Sequence, residues 1–352
     1  MGYIKGLTIE LSGLPDNGIH IFYGETGLPM SGEVAKGGIV KFQRLNEFFP
    51  NEPRRFNIFY MVSSKYPPFA EQIRRSARRK GAKFVWNQDG VAYSAWMPSG
   101  WEAANIRMAG FLHDADYVFY QSEFARRCAD QFLDKRAGPS EVLYNAVDTT
   151  LFCPAQRKRF PNELTLLIVG SQYHNYPLES AIKALACIKQ IRPQTRIIVA
   201  GKVYNHILES ARDLIVDLHL KDSIEFLPPF TQKEAVEIYR KSDVLLHTKI
   251  QDVCPGVVIE AMACGIPIVY SMSGGVPELV GEEAGVGVIT EATWEKRTPP
   301  KPEAWAEAVL AVAEKYSFYS QASRQRALER FDLQPWVERH RQVFSELLDD
   351  KI

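Results

Sequence analysis

The chain has 352 residues, and at about 100–200 residues per domain that length calls for about two domains. Its 42 Lys+Arg balance 42 Asp+Glu, so no whole-chain field draws it to nucleic acid, and 46% apolar residues suffice for two cores. No stretch approaches 18 continuous apolar residues, the five cysteines are scattered, and no basic stretch leads into an apolar run at the N-terminus. From these features no membrane span, disulfide framework or secretory signal is expected, and the expectation is a cytoplasmic protein with reduced thiols.

Short apolar strands then alternate with helix-like stretches, the pattern of a doubly wound α/β sheet. In the first half strands are predicted at 18–23, 56–62, 83–86, 117–121 and 141–144. Helices are predicted at 38–48, 69–80, 100–112 and 123–133. The second of these carries Arg74, Arg75, Arg78, Arg79 and Lys80, either as a solvated face or as a contact for an anionic membrane surface or lipid-phosphate acceptor. A polar, proline-flanked stretch at 154–162, including Arg157-Lys158-Arg159, reads as a linker between a domain over 1–153 and a domain over 163–334. The second half repeats the alternation. Its strands are predicted at 164–169, 196–200, 223–226 and 244–247, its helices at 177–191, 204–218 and 233–241. Helices at 302–315 and 317–330 close it, and 335–348 is amphipathic.

The densest chemistry lies between Asp252 and Glu278. Cys254-Pro255-Gly256-Val257-Val258 opens a helix at a Pro-Gly turn, and Glu260 sits one turn inside. An apolar strand at 266–270 then runs into Gly274-Gly275, with Glu278 after it. A helix N-terminus presents unpaired N–H groups and positive dipole to a phosphate. An ionised acid nearby accepts two hydroxyl hydrogen bonds, as a ribose diol requires. Backbone N–H groups of Val257 and Val258 would face the phosphates, and Gly274 and Gly275 allow close backbone approach. The alternative is an ordinary βα unit in which Asp252 caps the next helix and Glu278 is a surface acid.

This pattern resembles the donor site of family-four retaining glycosyltransferases of the GT-B fold, the bacterial-type enzymes of glycan and cell-envelope polysaccharide synthesis. Their signature is an acid, seven residues, Glu, then Ala-Met-Ala-x-Gly-x-Pro and later Gly-Gly-x-x-Glu. Here Asp252 and Glu260 hold the two acid positions, with Asp in place of the usual Glu, while 261–267 and 274–278 match. The resemblance is firm from about residue 117 to 288. It implies two Rossmann-like domains facing across a cleft, with the terminal helix crossing back onto the first. It implies transfer of a sugar from a nucleotide-diphosphate-sugar donor to a glycan or lipid-linked acceptor, with retention and without metal or other cofactor. Under it Glu260 takes the ribose and Asp252 the donor sugar. Lys36-Gly37-Gly38 resembles the glycine loop placed near the diphosphate and acceptor.

The departure lies after the strand at 164–169. Relatives carry Gly-Arg there and a Lys shortly after, to neutralise the departing diphosphate. This chain reads Gly170-Ser171-Gln172-Tyr173-His174, without either cation. Lys202, Lys249 or a protonated His174 are the substitutes the sequence offers. In the first half, Asp89 either receives the acceptor proton or makes an Asp-Gly turn. Two other readings stand beside transfer: a non-catalytic nucleotide-sugar-binding protein and a nucleotide-sugar epimerase of the same fold.

Overall fold

A computed structural model describes residues 13–351 apart from 16, 31, 36 and 156–161. Lys36, Arg157-Lys158-Arg159 and most of the expected linker lie outside the described residues. The chain divides into two compact units, one taking residues up to 144 and from 334 onward, the other residues 145–333. The segment 145–153, assigned by sequence to the first domain, goes with the second. Asn145 Nδ2 donates to the Cys254 carbonyl at 2.7 Å, and Val147 N donates to the Phe331 carbonyl at 2.8 Å.

The first unit holds β1 (Ile21–Phe22), α1 (Gly38–Asn46), β2 (Ile58–Val62), α2 (Ala70–Arg79), β3 (Lys83–Gln88), α3 (Trp101–Asp114), β4 (Tyr117–Tyr120), α4 (Glu123–Phe132) and β5 (Ser140–Val142). Its described strands pair in parallel in chain order, β1-β2-β3-β4-β5. β2 is buried along its whole length, which explains its unbroken apolar run: helices cover parallel sheets on both faces. The last helix of the chain, which we number α12 (Leu333–Leu348), completes this core. Its Phe344 ring stands 5.4 Å from Phe49 and 5.9 Å from Tyr60, and its His340 bonds the Tyr60 hydroxyl at 3.1 Å.

The second unit runs β6 (Leu164–Val169), α5 (Asn175–Ile191), β7 (Thr195–Ala200), α6 (Asn205–Asp217), β8 (Ile224–Leu227), α7 (Gln232–Arg240), β9 (Val244–His247), α8 (Gly256–Ala263), β10 (Ile268–Ser271), α9 (Val276–Val280), β11 (Gly285–Val288), α10 (Pro302–Glu314) and α11 (Tyr316–Arg330). Thr231 and Glu234 close a capping box that fixes the start of α7. The strands are all parallel, in the order β11-β10-β9-β6-β7-β8. Strand order reverses between β6 and β9. In open α/β sheets ligands bind outside the strand carboxyl ends at such a reversal. One face of the sheet packs on α5 and α10 through Leu166, Ile168, Leu185, Ile188, Trp305 and Val309, which leaves the loops at the strand ends for chemistry.

Candidate functional site

The reversal point gathers most of the signature. Gly170 directly follows β6, and a Cβ there would lie 3.9 Å from the Lys249 amine and 3.8 Å from Val257 Cγ1. Lys249 follows β9 by two residues and Val257 stands in the first turn of α8. Pro255 is the N-cap of α8, with no side-chain cap, so Asp252 does not cap this helix. The N–H of Val258 already bonds the Pro255 carbonyl at 3.1 Å, so the helix end offers Gly256 and Val257 rather than the expected Val257 and Val258.

Asp252 is held from several sides. A Cβ on Gly274 (φ +72°) would fall 2.4 Å from the Asp252 carbonyl oxygen, so no side chain fits at that position. Gly275 donates its N–H to the same oxygen at 2.9 Å. On the side chain, Oδ1 accepts the Val253 N–H at 2.9 Å and Oδ2 lies 3.3 Å from His247 Nε2. The carboxylate remains 28% exposed. Burial pushes its pKa up, but His247, Lys249 and the Val253 N–H together hold it below the ordinary carboxylate range.

Glu260 is only 5% exposed. The fully buried Tyr239 of α7 donates to its Oε2 at 2.9 Å and also lies 3.2 Å from the Val257 carbonyl. Tyr239 has one proton, and the charged acceptor is the stronger partner. Glu278 sits in α9, half-buried, with its carbonyl bonded by Arg326 at 2.9 Å.

The substitute cations separate cleanly. Lys202 is exposed and its amine stacks 4.4 Å over the Tyr204 ring, whereas Lys249 lies against Gly170. Burial lowers the His174 pKa, and the Arg297 and Lys249 charges lower it further, which disfavours the protonated form of His174. Arg297, from the loop after β11, hydrogen-bonds the Tyr176 hydroxyl, which also accepts the Ile250 N–H at 3.0 Å. Sequence spacing carried no signal for Arg297, because its partner Tyr176 stands in the first turn of α5.

In the first unit, Gly38 and Asp89 meet. A Cβ on Gly38 would stand 2.7 Å from Val62 Cγ2, 2.8 Å from Ser64 Oγ and 3.1 Å from Asp89 Oδ2. The Asp89 carboxylate accepts from the Ser64 hydroxyl and the Gln121 amide, with the Lys41 amine 3.9 Å away. It therefore serves a side-chain network rather than an isolated turn. Burial raises its pKa, and Lys41, Ser64 and Gln121 only partly offset this. Around Gly37, by contrast, an added Cβ would meet nothing within 4 Å. Lys41 was not singled out by sequence, although a lysine beside Phe42 and Leu45 on the buried face of a helix is a usable signal.

The basic run of α2 is largely paired. Arg74 contacts Glu71 and Asp114, Arg75 contacts Glu71, Arg78 contacts Asp114, and the Lys80 amine lies 4.5 Å over the Phe56 ring. Among the described residues no helix is long and apolar enough to cross a membrane, and no group of three His, Cys, Asp or Glu side chains is placed to hold a metal ion.

Residues 153–327 match the family model described as glycosyl transferases group 1. D-inositol 3-phosphate glycosyltransferase of Mycobacteroides abscessus is 28% identical over 192 residues, 51% of this chain and 41% of that protein. The protein of the same name from Saccharomonospora viridis is 35% identical over 127 residues, 35% of this chain and 27% of that one. The matches thus span less than half the length of these curated relatives. Among solved structures, sucrose-phosphate synthase of Thermosynechococcus elongatus superposes with a TM-score of 0.71 at 18% identity, over 84% of this chain and 74% of that one. Anabaena HepE in complex with UDP gives 0.66 at 18% identity, over 83% and 79%. Two all-parallel sheets, the reversal at β6 and β9, and the family match converge: residues 153–327 are similar to the glycosyl transferases group 1 family, and the chain has the α/β architecture of the GT-B glycosyltransferases.

Proposed function

We propose that the protein is a glycosyltransferase that moves a sugar from a nucleotide-diphosphate-sugar donor to a glycan or lipid-linked acceptor with retention of anomeric configuration. The observation that carries this reading is the meeting of Gly170, Lys249, Asp252 and the N-terminal end of α8 at the sheet reversal. The Gly256 and Val257 N–H groups and the helix dipole take the diphosphate, and Lys249 balances the charge that grows on it as it leaves. Asp252, clamped by Gly274 and Gly275, meets the donor sugar. Glu260 takes the ribose, sharing its carboxylate with the Tyr239 hydroxyl. In the first unit Gly37 and Gly38 are the candidate residues for the diphosphate and acceptor, and Asp89 the candidate to receive the acceptor proton. The bond from the anomeric carbon to the donor phosphate oxygen breaks, the acceptor oxygen bonds on the same face, and its proton passes to the departing phosphate or to Asp89. Solved relatives of the fold include HepE in complex with UDP-glucose, which supports a nucleotide-sugar donor.

A thermal-shift screen of UDP-, GDP- and ADP-sugars tests the site, followed by assay of nucleoside diphosphate release with and without acceptor. One donor class raises the melting temperature and slowly yields nucleoside diphosphate. A flat response to all three overturns the reading. Binding without release returns the non-catalytic alternative. Turnover needs no divalent ion and survives a chelator. The exposed Arg75, Arg78 and Arg79 give the protein a weak hold on the cytoplasmic membrane face, and sedimentation with anionic vesicles at low salt measures it.

A further inference from the structure

We infer that His247 is a positioning residue for Asp252, fixing the carboxylate that meets the donor sugar. This rests on the donor-site reading above. His247 ends β9, a strand flanked on both sides by β6 and β10, after the fully apolar Val244-Leu245-Leu246. An imidazole at such a place costs free energy unless its nitrogens find partners. Its side chain is 3% exposed, and Nε2 makes no hydrogen bond of good geometry to the described residues. The carboxylate oxygen 3.3 Å from that nitrogen is Asp252 Oδ2. Apolar packing gives no reason for histidine here, since leucine or phenylalanine would fill the strand end.

The partner supplies the reason. With Asp in the position where relatives carry Glu, the side chain is short and its reach is set by which way the carboxylate turns. Oδ1 is tied to the Val253 N–H, and the Asp252 backbone is tied to Gly275. His247 closes the remaining freedom at Oδ2. Either as imidazolium or as the Nε2–H tautomer it offers that oxygen a donor, and small shifts on donor binding bring the pair to full hydrogen-bond geometry. Lys249 is the other charge acting on the same carboxylate. The outward lone pairs of Asp252 are left aimed at the sugar.

The test compares His247→Gln, which keeps a donor, with His247→Phe, which fills the space without one, alone and in an Asp252→Asn background. With the donor found in the screen, His247→Phe lowers kcat roughly 10- to 100-fold with little change in KM, and His247→Gln recovers most of the loss. In the Asp252→Asn background His247→Phe costs less than about threefold more, because its partner is already gone. Equal losses for Gln and Phe, or losses that simply multiply, overturn the inference. If wild type turns over none of the UDP-, GDP- or ADP-sugars, the donor reading fails instead. Urea unfolding of wild type, His247→Phe, Asp252→Asn and the double variant then decides the His247–Asp252 pairing, and additive stability changes refute it. If His247→Phe does not fold, His247→Leu replaces it in each comparison.

Discussion

Lys249 and Lys202 stood equally well as replacements for the missing cations until the folded chain placed one amine beside Gly170 and the other over Tyr204. Replacing Lys249 by Ala is expected to lower kcat/KM by about 2 kcal/mol of transition-state stabilisation, roughly 30-fold, while Lys202→Ala stays within about threefold of wild type. Steady-state turnover of the preferred donor decides it, and equal losses in the two variants would show that neither amine is specific to the diphosphate. Tyr239 gives a second residue-scale prediction. Tyr239→Phe removes a donor from a buried carboxylate, which costs about 1–3 kcal/mol of folding stability in urea titrations. An unchanged midpoint would mean that Glu260 turns to solvent. The signature acids were legible because Asp252, Glu260 and Gly274 fall within one βα unit, where spacing alone sets geometry. His247, Arg297 and Lys41 were not legible, since each acquires its meaning from a partner on another element.

Elements were read best where hydrophobic period and length agreed, and worst where tertiary register overrode local propensity. β11 was not among the expected strands, and its two glycines weaken the local strand signal. Its register sets Gly285 against Ile268, where a Cβ would stand 1.9 Å from the Ile268 carbonyl oxygen, so the strand exists because of its glycine. α5 begins two residues before the expected start because Pro177 sits in the first turn, where its missing N–H costs no helical bond. β3 runs on to Gln88, beyond the expected 83–86, because Asn87 and Gln88 pair with β4 while making buried polar contacts. α12 carries the element-scale prediction. Its His340 is fully buried, and burial holds its pKa down to about 3. The unfolded chain protonates near an ordinary histidine pKa of about 6.5, so stability is lost as pH falls below that value and continues to fall toward 3. Each pH unit in that window removes about 1.4 kcal/mol, about 2 kcal/mol by pH 5. Urea midpoints measured from pH 7 to pH 5 should show this loss, and His340→Phe should flatten it. A pH dependence unchanged in that variant would assign the acid limb to other groups.

At the scale of the molecule, the first unit is discontinuous in sequence, since residues from 334 onward join those up to 144. Val337, Val343, Phe344 and Leu347 of α12 are all buried. Each such side chain contributes about 1.5–3 kcal/mol, and the whole margin of a domain is about 5–15 kcal/mol. Deleting residues 334–352 should therefore abolish cooperative unfolding of the first unit while 145–333 keeps a melting transition, as proteolysis and calorimetry would register. A truncated chain that retained both transitions would show that α12 is dispensable to that core. The same discontinuity orders events during synthesis. A nascent chain makes the strands of its first unit early, yet the helix that seals them is made only after the whole of the second unit. The second unit is complete first, and the earlier-made sheet waits with its Phe49, Tyr60 and Phe119 side chains uncovered until residues 334–348 emerge, the interval in which a chaperone would find it.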